Sequence, residues 1–156
     1  MSDTESITLT LTQESDYAFR ITFEGSAVPA LLADETPPIG RDVGPSPTRM
    51  LAASIGHCLS SSILFAMRKF KNQPRTIVTH VRADTARNER GRLRVARIAV
   101  EIDLPGAAAD YAQIERILSQ FEDFCTVTES VRAGVTVEVS VRDAAGAVLH
   151  TSDRVP

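Results

Sequence analysis

The stretch GPSPTRMLAASIGHCLSSSILFAMRKF, residues 44–70, decides the fold. It opens on Gly44-Pro45-Ser46-Pro47. Ser is a favoured helix N-cap, and Pro fits the first helical position because its missing N–H would have had no intrahelical acceptor. Apolar residues then recur with helical spacing at Leu51, Ile55, Cys58, Leu59, Ile63, Ala66 and Phe70. The opposite side carries Ser and Ala, and Met50 to Met67 contains no Asp, Glu, Lys or Arg. A helix apolar nearly all round is a central one, covered on most sides. At 1.5 Å per residue it runs roughly 35 Å, more than a domain this small covers alone, which points to a partner subunit. Arg68, Lys69 and Lys71 stand at its C-terminal end, where the helix dipole favours cations. Pro74 is expected to end it.

The same run sits at the lower limit for crossing a bilayer. However, Ser54, Gly56, His57, Ser60, Ser61 and Ser62 suit a protein interior better than lipid, so no membrane span is expected.

Working outward, Ile7, Leu9 and Leu11 alternate with Thr8, Thr10 and Thr12, and Tyr17, Phe19, Ile21 and Phe23 alternate after a polar break at Gln13 to Asp16. Period two on both sides of a short break reads as an antiparallel hairpin. Ala30 to Ala33 suggests a third strand, followed by a proline- and glycine-rich loop from Thr36 to Pro45. Beyond the helix, Ile77 to Asp84 and Leu93 to Leu104 read as strands, with imperfect alternation near Ala96 marking a bulge. Tyr111, Ile114, Ile117, Leu118 and Phe121 have helical spacing, and Cys125 continues that stripe. Val135, Val137, Val139 and Val141 form a clean strand, and a turn at Asp143 to Gly146 leads into Val148 and Leu149. The order ββ(β)-α-ββ-α-β(β) is an α+β pattern with mainly antiparallel sheet. At 156 residues it suits a single domain, 1–156.

Composition narrows the function. A net charge of −3, from 17 basic and 20 acidic residues, argues against nucleic acid as a partner. Arg87, Arg90, Arg92, Arg94 and Arg97 cluster, but Glu89 and Gly91 break them into a solvated hairpin. Met1 to Ser6 is polar and acidic, without the basic and apolar regions of a secretory signal, so a cytoplasmic location is expected. Thiols there are normally reduced, and a disulfide would be transient and catalytic.

No Cys-x-x-Cys, His-Glu-x-x-His, Walker loop or Gly-x-Ser-x-Gly is present, and His57, His80 and His150 lack ligand-like spacing. Neither a metal nor another cofactor is expected. The chemistry rests on two cysteines, Cys58 and Cys125, each on the apolar face of a helix. Bare of context, buried cysteines behave as small hydrophobes.

Gly44-Pro45-Ser46-Pro47, Met50-Leu51-Ala52-Ala53 and Gly56-His57-Cys58 together resemble the signature of the OsmC/Ohr family of thiol peroxidases. Phe124-Cys125-Thr126-Val127, and Asp34-Glu35 with Pro37, resemble it too. The resemblance implies an OsmC-like fold, with antiparallel sheets wrapped around a long central helix in an intertwined homodimer. It implies that Cys58 attacks an organic hydroperoxide and becomes a sulfenic acid. Cys125 then condenses with it to a disulfide that a dithiol reductant reopens.

Nucleophilic attack needs a thiolate. Cys58 lies about three turns into its helix, beyond the reach of the N-terminal dipole, and apolar burial raises a thiol's pKa, so a cation must stand nearby. In the family an arginine held by a glutamate supplies it, the glutamate following the proline of the helix start. Here Thr48 and Arg49 follow Pro47, with no carboxylate. Arg41, in Gly40-Arg41-Asp42, is the candidate, ahead of Arg49 and Arg20. His57 points about 100° away from Cys58 on a helix and reads as a partly buried interface residue. The missing glutamate keeps an alternative open, a non-catalytic OsmC-like protein binding a small ligand.

Overall fold

The computed structural model describes residues 5–154, so Met1 to Thr4 of the polar N-terminal segment lie outside the described residues. The chain divides into two compact units, residues 1–50 and 51–156. In the first, β1 (Leu9–Ser15), β2 (Ala18–Phe23) and β3 (Leu31–Ala33) form an antiparallel sheet in the order β1-β2-β3. The first strand runs on through the polar residues to Ser15, with a register shift between Gln13 and Ser15. Strand β1 is exposed along its whole length, its apolar Leu9 and Leu11 included.

The loop after β3 is organised by Asp34, whose buried carboxylate accepts the backbone N–H groups of Glu35, Arg41 and Val43. Burial would raise its pKa. Those three donors and the charge of Arg41 outweigh burial and hold the carboxyl below its ordinary value. Gly40 is required there, because a Cβ would stand 2.2 Å from the Glu35 carbonyl oxygen. The loop leads to α1 (Pro47–Lys69). Its first turn is capped as the sequence suggests: Ser46 Oγ accepts the Arg49 N–H at 3.4 Å, and its carbonyl accepts that of Met50 at 2.9 Å.

In the second unit α1 packs on a four-stranded sheet of order β4-β5-β6-β7. Its strands are β4 (Val78–Arg87), β5 (Leu93–Asp103), β6 (Thr136–Arg142) and β7 (Val148–Arg154). Ile55, Leu59, Ile63 and Met67 of α1 are fully buried against Ile98, Ile102, Val137 and Val141. Each such side chain contributes roughly 2 kcal/mol by leaving water. Close approach depends on Gly56, where an added Cβ would lie 2.5 Å from Val81 Cγ2. The branched valine has little freedom to retreat. The Ser60 hydroxyl bonds the Gly56 carbonyl and pairs with Thr79 Oγ1 at 2.6 Å, so this polar residue of the apolar helix is satisfied. By length and composition alone α1 would pass as a membrane span. Its inward face instead forms the centre of this core, while Ala53, His57, Ser61 and Phe65 remain exposed as a stripe.

Two sequence expectations need correction. Pro74 does not end α1. The helix stops at Lys69 in a Schellman-type turn, with Lys71 at φ 63° and the Asn72 N–H on the Met67 carbonyl. The pairing is mainly antiparallel, as expected, though β5 and β6 run parallel and make the second sheet mixed. A parallel pair needs a crossover, and residues 104–135 supply it. Finally, the single helix expected from Tyr111 to Cys125 is broken into α2 (Ile114–Gln120), a 3-10 turn over Phe121–Phe124 and a further helix, α3 (Thr126–Val131). The bulge lies where expected: Asp84 pairs with Arg97 and Thr85 with Val95, leaving Ala96 as the extra residue.

The candidate thiol site

Helix α1 presents Cys58 half-buried, one residue ahead of the fully buried Leu59. Cys125 enters from the crossover. The 3-10 turn before it is closed by the Cys125 N–H on the Glu122 carbonyl at 3.0 Å. The helix after it begins with the Glu129 N–H on the Cys125 carbonyl at 3.0 Å. Two polar clamps set this crossover against α1. Asn72, just past the helix end, donates to the Ala112 carbonyl at 2.9 Å and accepts the Ala112 N–H at 2.8 Å.

The result brings the two cysteines, both free thiols, near enough that the Cys58 sulfur acts on the Cys125 thiol. Burial pushes the Cys125 thiol above its ordinary range, and the Cys58 sulfur adds to the effect. Thr128 pulls the other way, its Oγ1 lying 2.7 Å from Cys125 Sγ with both residues fully buried. The expected helical stripe thus does carry Cys125 inward, but through a turn and a new helix. The reason lies in Glu122, which the 3-10 turn rotates into the interior.

Glu122 is 4% exposed and Arg132 8%. Their ion pair closes the segment around Cys125 from both ends, and Arg132 Nη1 also bonds Glu129 Oε1 at 2.7 Å. The other Glu122 oxygen meets His150 Nε2 of β7 at 2.6 Å, and the His150 ring stacks edge-to-face on Phe121. Burial alone would raise the Glu122 carboxyl. His150, Ser152 and Arg132 reverse that and bring it to about 2. Sequence reading placed neither Glu122, Arg132 nor Thr128 at the site, and it gave His150 no role. The available signal is spacing: Cys125, Thr128 and Arg132 stand at i, i+3 and i+7, one face of a helix.

The arginine candidates all lie in the first unit. Arg20 pairs with Glu14 and Arg49 with Asp42. Arg41 Nη2 donates to Ser15 Oγ at 2.6 Å, and among the described residues Arg41 forms no ion pair. His57 is exposed in the single chain. Next to Cys125, Phe124 is exposed and stacks edge-to-face on Phe65 of α1 at 5.5 Å, with Lys69 Nζ 5.9 Å from its ring centre.

A depression of about 670 Å³ lies elsewhere. It lies on the sheet face pointing away from α1, lined by His80, Arg82, Glu101, Glu138, Ser140 and Asp153. Four of these, His80, Arg82, Glu101 and Glu138, are already paired with Asp103, Asp84, Arg142 and Arg97 respectively. Among the described residues no three His, Cys, Asp or Glu side chains converge as metal ligands.

Comparison with known proteins gives a consistent result. Residues 40–140 match the family model of the OsmC-like protein. No curated protein matches the sequence. An organic hydroperoxide resistance protein from Elizabethkingia anophelis superposes with a TM-score of 0.71 at 14% identity, covering 92% of this chain and 99% of its own. An OsmC-like protein from Mycoplasma pneumoniae gives 0.71 at 13%, covering 89% and 97%. The organic hydroperoxide resistance protein OhrB of Bacillus subtilis gives 0.65 at 13%, covering 88% and 98%. At such identities these structures establish the shared fold.

Proposed function

The chain belongs to the OsmC-like protein family, and from that premise we propose that it reduces organic hydroperoxides with Cys58 as attacking thiol and Cys125 as resolving thiol. The observation that supports this reading is the nearness of the two free thiols, one on the central helix and one on a crossover segment.

The Cys58 thiolate attacks the terminal peroxide oxygen. An S–O bond forms, the O–O bond breaks, and the departing alkoxide takes a proton to leave as the alcohol. The Cys58 sulfenic acid is then attacked by Cys125. The S–S bond forms, the S–O bond breaks, and hydroxide leaves with the Cys125 proton as water. A dithiol reductant reopens the disulfide by thiol–disulfide exchange. We assign the cation that sustains the thiolate to Arg41, the candidate of the Gly40-Arg41-Asp42 loop, because Arg20 and Arg49 are each tied up in a direct ion pair. The Asp34 carboxylate fixes the backbone of the loop that carries Arg41.

The exposed Phe65–Phe124 pair beside Cys125 supports an organic substrate over hydrogen peroxide, since it offers apolar surface to a hydrocarbon tail. Two copies assemble in this reading. Exposed Leu9 and Leu11 on β1 are apolar surface suited to a second chain. Turnover belongs in a reducing compartment such as the cytoplasm, where dithiols regenerate the enzyme.

Stopped-flow mixing of reduced protein with cumene hydroperoxide and, separately, with hydrogen peroxide tests the reading. In the presence of a dithiol, cumene hydroperoxide is consumed catalytically and at least about tenfold faster than hydrogen peroxide. Consumption of neither would transfer the site to the ligand-binding alternative.

A further inference from the structure

We propose that Thr128 is a catalytic residue of the resolving step, its hydroxyl holding the Cys125 sulfur and steering that sulfur's proton. This rests on the reading of Cys58 and Cys125 as a redox pair. The geometry is direct: Oγ1 and Sγ are 2.7 Å apart, and both residues are fully buried. A sulfur sealed from solvent has no water to help it lose a proton. A threonine hydroxyl rotates freely, so it can accept from the thiol and donate to the thiolate without moving its oxygen.

The placement of that hydroxyl is fixed from several sides. Cys125 and Arg132 flank α3 and stand with Thr128 at i, i+3 and i+7, all three buried, and the Thr128 carbonyl accepts the Arg132 N–H at 3.0 Å. Arg132 is pinned to Glu122, and Glu122 to His150 on β7, so this segment cannot rotate without breaking a buried ion pair. Glu122, Arg132 and His150 are therefore positioning residues for Thr128 and Cys125.

The chemistry gives the hydroxyl work in both directions. As Cys125 attacks the sulfenic acid, its S–H bond loosens and negative charge gathers on sulfur. Thr128 turns its O–H toward that charge while the thiol proton leaves with the departing hydroxide as water. When a dithiol opens the disulfide, charge returns to Cys125 if it is the leaving sulfur, and the same donor meets it. A lower thiol pKa makes both steps faster, as attacking thiolate fraction and as leaving-group stability. Burial and the neighbouring sulfur work against that, and Thr128 opposes them.

The test uses Thr128→Val, which keeps the branched shape and removes the hydroxyl, beside Thr128→Ser and Thr128→Ala. In a Cys58→Ser background Cys125 is the only thiol, and its ionisation is followed by thiolate absorbance near 240 nm. Valine is expected to move the midpoint up by about one pH unit, with serine near the parent. In the otherwise unaltered protein, valine slows disulfide formation about tenfold at neutral pH, while oxidation of Cys58 by cumene hydroperoxide keeps its rate. Serine and alanine both lack the methyl group, so the difference between them reads the hydroxyl even where valine lowers the melting temperature. Equal midpoints and equal disulfide rates for serine and alanine would overturn the proposal. The titration uses no peroxide, so a shifted midpoint in a protein that consumes no peroxide would instead count against the peroxidase reading.

Discussion

Cys58→Ser lowers cumene hydroperoxide consumption at least about 10³-fold, to near the uncatalysed background. A serine hydroxyl is un-ionised at neutral pH and has no polarisable sulfur to open an O–O bond. The fold survives, because Cys58 is only half-buried and oxygen for sulfur leaves no large void. Cys125→Ser behaves differently. Cys58 is still oxidised, once per chain, and the sulfenic acid accumulates where dimedone traps it, because no second sulfur condenses with it. Peroxide consumption by coupled assay and mass spectrometry of the dimedone adduct separate the two variants. Full turnover by Cys58→Ser would remove Cys58 from the attacking role.

The second large effect is on stability. Arg132→Ala leaves Glu122 as a buried carboxylate without its guanidinium partner, with His150 and Ser152 beside it. Breaking a buried pair from one side typically costs about 3–5 kcal/mol, since the remaining charge stays desolvated. For a chain of this length that lowers the melting temperature by on the order of 10 °C.

The pH dependence has a definite sign. The Glu122 carboxyl lies at about 2 in the folded protein, against an ordinary 4.5. A depressed carboxyl stabilises fully above its unfolded value and loses that contribution as pH falls through its folded one. Arg132 supplies part of that depression, after His150 and Ser152, so its share of the wild-type advantage over Arg132→Ala is complete at pH 7 and narrows as pH falls from about 4.5 toward 2. Thermal unfolding by circular dichroism at pH 7 and pH 3 checks this. A loss below about 2 °C at pH 7, or one that widens in acid, contradicts it.

Much of the fold is legible in the sequence, and the reasons it fails elsewhere are physical. Helix α1 is announced by Ser46, Pro47 and apolar spacing, all local signals, and the structure caps and buries it as read. The bulge at Ala96 shows as a break in alternation. The direction of β6 is not encoded by alternation, because period two is the same for parallel and antiparallel pairs, and the parallel β5–β6 pairing follows only from the crossover. The stop at Lys69 is hidden because Lys71 adopts a left-handed conformation that glycine usually supplies. Phe121 and Cys125 keep helical spacing through a 3-10 turn, so one helix and two look alike in sequence.

The cysteines stand out by rarity. Their surroundings do not. Glu122, Arg132 and His150 are brought together across 28 residues, and charged residues in a chain are ordinarily read as surface. Thr128 is one of many threonines until α3 turns it onto the Cys125 sulfur.

Peptide mapping under non-reducing conditions reaches the central claim most directly. Reduced protein is treated with one equivalent of cumene hydroperoxide, alkylated and digested. The account predicts a single new crosslinked species joining the Cys58 and Cys125 peptides, formed within one chain and lost on addition of a dithiol. Both cysteines recovered as alkylated thiols, or Cys58 linked only to a second Cys58, would contradict it.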